Sequence, residues 1–149
     1  MKSTLSPLRY DSSEAAEDAI YEALARGDLE ALMALWSDEE DSVCIHPSGP
    51  RLLGLDAIRQ SWALILSQGN LVVDRSKIQI IAAGTLAVHN LIETIHVVEA
   101  GRARAFQMAC TNVYMHGSRG WRMVLHHAAA VQQDTNQSID DRPNARVLH

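Results

Sequence analysis

The amino-acid sequence predicts an α+β domain in which three helices precede a long-stranded antiparallel sheet. Apolar residues recur at helical spacing through the first half of the chain. From residue 71 the period changes, and residues 71–82, 85–99, 103–116 and 121–131 are rich in Val, Ile and Thr. Short turn sequences separate these runs: Ala83-Gly84, Ala100-Gly101 and Gly117-Ser118-Arg119-Gly120. At 149 residues and 47% hydrophobic content, the chain suits a single domain large enough to enclose a core.

The first helix follows the capping candidates Asp11, Ser12 and Ser13, with Glu14 and Glu17 placed for its dipole and Ala16, Ala19, Ile20, Ala23 and Leu24 as its apolar stripe. Gly27 stops it. Asp28 caps a shorter second helix whose Leu29, Leu32, Met33 and Trp36 share one face. An acidic loop, Ser37-Asp38-Glu39-Glu40-Asp41, leads to a short strand from Val43 to His46 and the turn Pro47-Ser48-Gly49-Pro50. A third helix begins near Leu55, carries Ile58, Trp62, Ile65 and Leu66 on one side, and ends at Gly69. The four long strands then form a meander, with helices over one sheet face. Residues 1–12 read as an N-terminal arm, 13–131 as the domain, and 132–149 as a polar, flexible tail.

Charge and composition narrow the function classes. The net charge is -5 and the thirteen Lys and Arg are scattered, so no basic face is offered to nucleic acid. No apolar run approaches the roughly 18 residues needed to cross a bilayer, and the N-terminus lacks an apolar signal core, so a cytoplasmic protein without a membrane partner is expected. Cys44 and Cys110 lie in apolar strand segments without metal or disulfide spacing. No phosphate-binding loop, dinucleotide loop or nucleophile elbow is present, and no cofactor is expected.

Regular hairpins place side chains on faces. A pairing of His116 with Trp121 sets Asn112 opposite Leu125 and Cys110 opposite His127; a pairing of Glu99 with Arg102 adds His89, Leu91, Glu93, Ile95 and Val97 beside Phe106, Met108, Cys110, Asn112 and Tyr114. That face is apolar apart from His89, Glu93, Asn112 and His127, buried polar groups that require partners or a task. The opposite face, with Asn90, Thr94, His96, Gln107, Thr111, Arg122 and His126 among Val and Ile, suits an interface between two sheets in a homodimer. A single bulge would exchange the faces from that point onward.

The order of signals carries a family resemblance. Helix, Gly27-Asp28, a helix ending at Trp36, an acidic loop, a short strand, Pro47-x-Gly49, Gly54-x-x-Ala57-Ile58-x-x-x-Trp62, and a meander closing on Gly120-Trp121-Arg122-Met123-Val124-x-His126-His127 resemble the NTF2-like superfamily over about residues 13–131. The likeness is strongest to the SnoaL-like branch, related to ketosteroid isomerases and to the association domain of a calmodulin-dependent kinase. It implies a curved sheet wrapping three helices into a cone with a pocket at its open end, and commonly a homodimer through the sheets. In the isomerases a carboxylate directly before Pro-x-Gly is the base that moves a proton beside a carbonyl; His46 takes that position. A neutral acid on the fourth strand, donating to the developing oxyanion, falls on Asn112. The tyrosine donor of the first helix falls on Ile20, with Tyr21 expected to point elsewhere, which argues against steroid isomerisation.

Histidine suits proton transfer near neutrality because its ordinary pKa is about 6.5. His46 as base, with Asn112 or His127 polarising an oxygen, makes the catalytic set; each could instead only satisfy backbone or strand groups. Trp36, Trp62, His89, Glu93, Met108 and Tyr114 line the pocket or fill the core, with His89 and Glu93 forming either a relay or a buried hydrogen-bonded pair. No metal site is expected, since His96 faces away from His89 and Glu93, and His126 and His127 diverge. Two functions remain: acid/base chemistry on a small apolar carbonyl compound, or a noncatalytic module for ligand binding or assembly.

Overall fold

The computed structural model describes residues 9–131; the tail expected at 132–149 and most of the N-terminal arm lie outside the described residues. Three helices, α1 (Ser13–Arg26), α2 (Leu29–Ala34) and α3 (Leu55–Ser67), accompany six strands, β1 (Val43–Ile45), β2 (Arg51–Leu53), β3 (Val72–Ala83), β4 (Leu86–Glu99), β5 (Arg102–Gly117) and β6 (Gly120–Ala130). The α+β class is as the sequence predicts. The helices do not simply precede the sheet, however, because β1 and β2 form a hairpin between α2 and α3.

Local chemistry sets the helix ends. The Ser12 side chain accepts from the Ala15 amide at the start of α1, and Gly27 closes that helix at φ 69, a left-handed conformation that favours glycine. Asp28 accepts from the Ala31 amide and so caps α2 immediately afterwards. The two helices share one junction. Isoleucine, leucine and tryptophan side chains of the three helices meet the sheet in a core that includes Ile20, Leu24, Leu32, Ile58 and Trp62, together with Trp36, which lies beyond the end of α2 and not in it as expected, bridged to Met123.

The strands run in the order β2-β1-β6-β5-β4-β3 in one curved sheet. The sheet is mixed rather than wholly antiparallel, because β1 lies parallel to β6, with Cys44 beside His126. Glu99 pairs with Arg102 and His116 with Trp121, as predicted. Then the register slips. Tyr114 pairs with Met123 but Val113 pairs with Leu125, leaving Val124 as an extra residue in β6. Beyond that bulge every side chain of β6 changes face. His126 turns inward opposite Asn112, and His127 turns outward opposite Thr111.

Candidate functional site

Site geometry starts at the strand end that carries His46. Pro47 and Ser48 form the centre of a tight turn closed by the Gly49 amide on the His46 carbonyl at 2.8 Å, with Ser48 at φ 60. The turn holds His46 half-buried against α3. Its ring meets Trp62 edge-on at 4.7 Å between centroids, and its Nε2 lies 3.0 Å from the Ser61 hydroxyl. Ser61 donates its own proton to the Ile58 carbonyl, 2.8 Å away. With that proton directed at Ile58, Ser61 is an acceptor for an Nε2–H of His46, the tautomer that leaves the lone pair on Nδ1; the Cys44 thiol lies 3.6 Å from the same Nε2. Burial holds the His46 pKa below the ordinary histidine value, so the ring is a neutral base at pH 7.

His126 stands next to it, with ring centroids 6.1 Å from His46 and 5.8 Å from Trp62. Its Nδ1 lies 2.7 Å from the side-chain oxygen of Asn112, an acceptor, so Nδ1 carries the proton. Burial, reinforced by the neighbouring His46 and His127, pushes its pKa down to about 3. The Asn112 nitrogen donates in turn to Glu17 Oε1 and to the Tyr21 hydroxyl, each at 3.1 Å. His46 and Asn112 therefore converge on one side of the sheet, with His126 between them.

A buried polar cluster continues behind Asn112. Tyr114 donates to Glu17 Oε1 at 2.6 Å, and Tyr21 donates to Glu93. His89 Nε2 contacts the Ser13 hydroxyl at 2.8 Å. His89 Nδ1 comes within 3.1 Å of Glu17 Oε1, but at an angle that leaves it without an aligned hydrogen bond, so the contact is electrostatic. Burial would raise the Glu17 carboxyl; His89, Tyr114 and Asn112 around it outweigh that and hold it below the usual carboxylate value. Glu93 has fewer compensating donors, and burial leaves it raised. Arg75 closes the outer side, stacked 4.7 Å over the Tyr21 ring and bonded to Asp18 at 2.9 Å.

Several expectations need correction. The interior histidine of β6 is His126; His127 is exposed on the other face because of the Val124 bulge. His89 and Glu93 do not pair with each other but bond to Ser13 and Tyr21. Tyr21, expected to point away, is buried and touches both Glu93 and Asn112. Arg122, assigned to the mixed outer face, is buried as well.

Glu17 was missed as a site residue because an acid near a helix start reads as a dipole partner. A signal existed: Ser13, Ala16, Glu17, Ile20, Tyr21 and Leu24 follow the i, i+3, i+4 pattern of one helix face, and all are buried. Trp36, Trp62 and Tyr114 lie within the core, Met108 packs on its edge, and the indole nitrogens of Trp36 and Trp62 find no hydrogen-bond partner among the described residues. Space reaches the polar cluster as a small cleft of about 80 Å³ beside Glu17, Arg75 and His89.

Glu93, Cys110 and His126 bring a carboxylate oxygen, a thiol sulfur and an imidazole nitrogen within 4.8 Å of one another, a donor set a zinc ion can take. All three are engaged: Tyr21 holds Glu93, Asn112 holds His126, and burial pushes the Cys110 thiol far above its ordinary value.

This mixed six-stranded sheet over three helices, with its polar groups gathered on the helix-covered face, defines a protein of the NTF2-like superfamily. Within that superfamily the chain belongs to the SnoaL-like domain family, whose model matches residues 14–132. It is similar to a provisionally named dehydratase of the NTF2-like family from Streptomyces avermitilis, at 28% identity over 79% of this chain and 93% of that one, with a TM-score of 0.73. A provisionally named calcium/calmodulin-dependent protein kinase type II association domain from Thiobacillus denitrificans is 30% identical over 84% of this chain and 99% of that one, TM-score 0.75. A Caulobacter vibrioides protein with a cystatin-like fold, 16% identical over 89% and 94% of the two chains at TM-score 0.72, shares the fold. No curated protein matches the chain. No helix among the described residues is long and apolar enough to cross a membrane.

Proposed function

We propose that the protein is an acid/base enzyme that moves a proton next to the carbonyl of a small apolar compound, in an isomerase, cyclase or dehydratase type of reaction. One observation carries this reading: His46 Nε2 lies 3.0 Å from a Ser61 hydroxyl whose own proton goes to Ile58, an arrangement that favours the tautomer with its lone pair on Nδ1, while burial keeps the ring neutral. An oriented, uncharged imidazole beside large aromatics is what general-base catalysis near neutrality requires. Asn112 acts as a positioning residue here, since both its amide hydrogens are committed to Glu17 and Tyr21 while its oxygen holds His126.

The test is deuterium incorporation. Small apolar ketones incubated with the protein in deuterated buffer should exchange their α-hydrogens, and His46→Ala should lose that exchange by about a hundredfold or more. Equal exchange by both proteins removes His46 from the chemistry.

A second reading rests on a different surface. Val72, Ile81, Leu86 and Val98 lie on the sheet face turned away from the helices, with Ile81 71% and Val98 76% exposed. Such a face suits a second copy of this chain, in keeping with the similar protein named as an association domain. Light scattering decides it: a monomer at working concentration excludes this assembly, and Val98→Lys should dissociate a dimer.

A further inference from the structure

The helices also border a cavity away from the His46 cluster. It measures about 340 Å³ and lies on the other side of α1, lined by Tyr10, Ala19, Glu22 and Arg26, by Ala31, Ala34 and Leu35 of the α2 region, and by Arg119 and Arg122 at the start of β6. On α1 the residues facing it are Ala19, Glu22 and Arg26, roughly 140 to 180° around the helix from Glu17, at 100° per residue. It is a separate site, and its volume lies at the lower end of what small-molecule pockets offer.

Its chemistry is specific. Arg122 is only 6% exposed, and its Nε donates to the Arg119 carbonyl at 3.3 Å. Among the described residues its guanidinium has no ion pair, whereas Arg119 pairs with Asp38 and Arg26 with Asp28. Burying a guanidinium without an acid is costly unless something else supplies the negative charge. Burial and the adjacent Arg119 depress its pKa by more than the nearby carboxylates of Asp38 and Glu39 restore it, so the charge is only partly compensated. Opposite it the wall is apolar, formed by Ala19, Ala31, Ala34 and Leu35.

We propose that this cavity binds a monocarboxylate with a short hydrocarbon body. The planar fork of Arg122 matches the two carboxylate oxygens, and the hydrocarbon lies on the alanines and Leu35. Glu22 at the same wall disfavours a dianion, so inorganic phosphate fits poorly.

Calorimetric titration of the whole protein with hexanoate, hexanamide and inorganic phosphate tests this. Hexanoate should bind at least about tenfold more tightly than hexanamide or phosphate, and Arg122→Gln should remove that preference. Should Arg122→Gln fail to fold, Ala34→Leu serves instead: it narrows the cavity from an exposed helix position, leaves the charges alone, and should weaken hexanoate binding by about tenfold. Equal affinity for acid and amide, tighter binding of phosphate than hexanoate, no binding of hexanoate, or full binding by Ala34→Leu overturns the proposal. The titration does not involve His46, so its outcome is independent of the proton-transfer reading.

Discussion

The His126 ring hangs from the side-chain oxygen of Asn112 at 2.7 Å, and this one contact fixes which imidazole nitrogen carries a proton. Nitrogen-15 NMR should therefore report His126 as the Nδ1–H tautomer throughout the neutral range. Asn112→Leu leaves that N–H without its partner and takes from the Glu17 oxygen one of its donors, Tyr114 remaining. A loss of roughly 2 to 4 kcal/mol in urea unfolding is expected. A mixed or Nε2–H population in the wild-type protein would show that the contact does not exist in solution.

Acid should weaken the fold through His126. The unfolded chain takes up this proton near pH 6.5, while the folded chain resists until about 3, because the ring is buried beside His46 and His127. The depressed folded value means that the contribution is complete above 6.5 and drains as pH falls. Between pH 6.5 and 5 the loss amounts to roughly 2 kcal/mol. Glu93, raised by burial, works in the opposite sense, and Glu17, already lowered, joins His126 only below the ordinary carboxylate range. Comparing denaturant midpoints of wild type and His126→Gln at pH 7.5 and 5 isolates the histidine: the variant should show the smaller acid loss.

Glu17 holds the cluster together from α1. Removing its acceptor by Glu17→Leu strands the donors of Tyr114 and Asn112 in a dry interior, and about 3 kcal/mol or more should be lost; Glu17→Gln, which keeps one oxygen acceptor, should lose less. Thermal unfolding of the two variants gives the comparison. A Leu variant as stable as wild type would mean that the donors find other partners.

Ser61 should matter only through His46. Ser61→Ala removes the acceptor of the Nε2–H and frees the ring to exchange tautomers. Deuterium exchange should fall about tenfold or more, while unfolding midpoints change by less than about 1 kcal/mol because Ser61 is only half-buried. Ser61→Thr, which keeps the hydroxyl, should restore most of the rate.

Deleting Val124 tests the bulge. Without the extra residue, β6 can continue straight from the Tyr114–Met123 pair to the Val113–Leu125 and Asn112–His126 pairs, so His126 and Ala128 keep their inward places. Circular dichroism should show a cooperative melt, and His126 should keep its Nδ1–H tautomer. A broadened, low-temperature melt would mean that the strand needs the bend of the bulge and not only the register beyond it.

Much of this architecture was legible in the chain. The change from a helical to an alternating period at residue 71 separates helices from sheet; Gly27-Asp28 stops one helix and caps the next; and the two-residue turn at Ala100-Gly101 pairs Glu99 with Arg102. These features depend on neighbours a few residues apart, through capping, turn geometry and side-chain period. Local chemistry is written locally. His46 and Asn112 were legible too, because the turn after β1 and the hairpin after β5 each fix a nearby side chain.

Tertiary structure alone decided the rest. Nothing within β6 marks Val124 as the extra residue; packing of Met123 beside Leu35 at one end and of His126 under Asn112 at the other fits only if one residue is left out of the ladder. The inward turn of Glu17 and Tyr21 was settled in the same way, by Asn112, Tyr114 and Glu93 reaching α1 from strands more than seventy residues away. A buried acid or histidine takes its place from whichever partners satisfy it, and in this protein those partners come from distant parts of the chain.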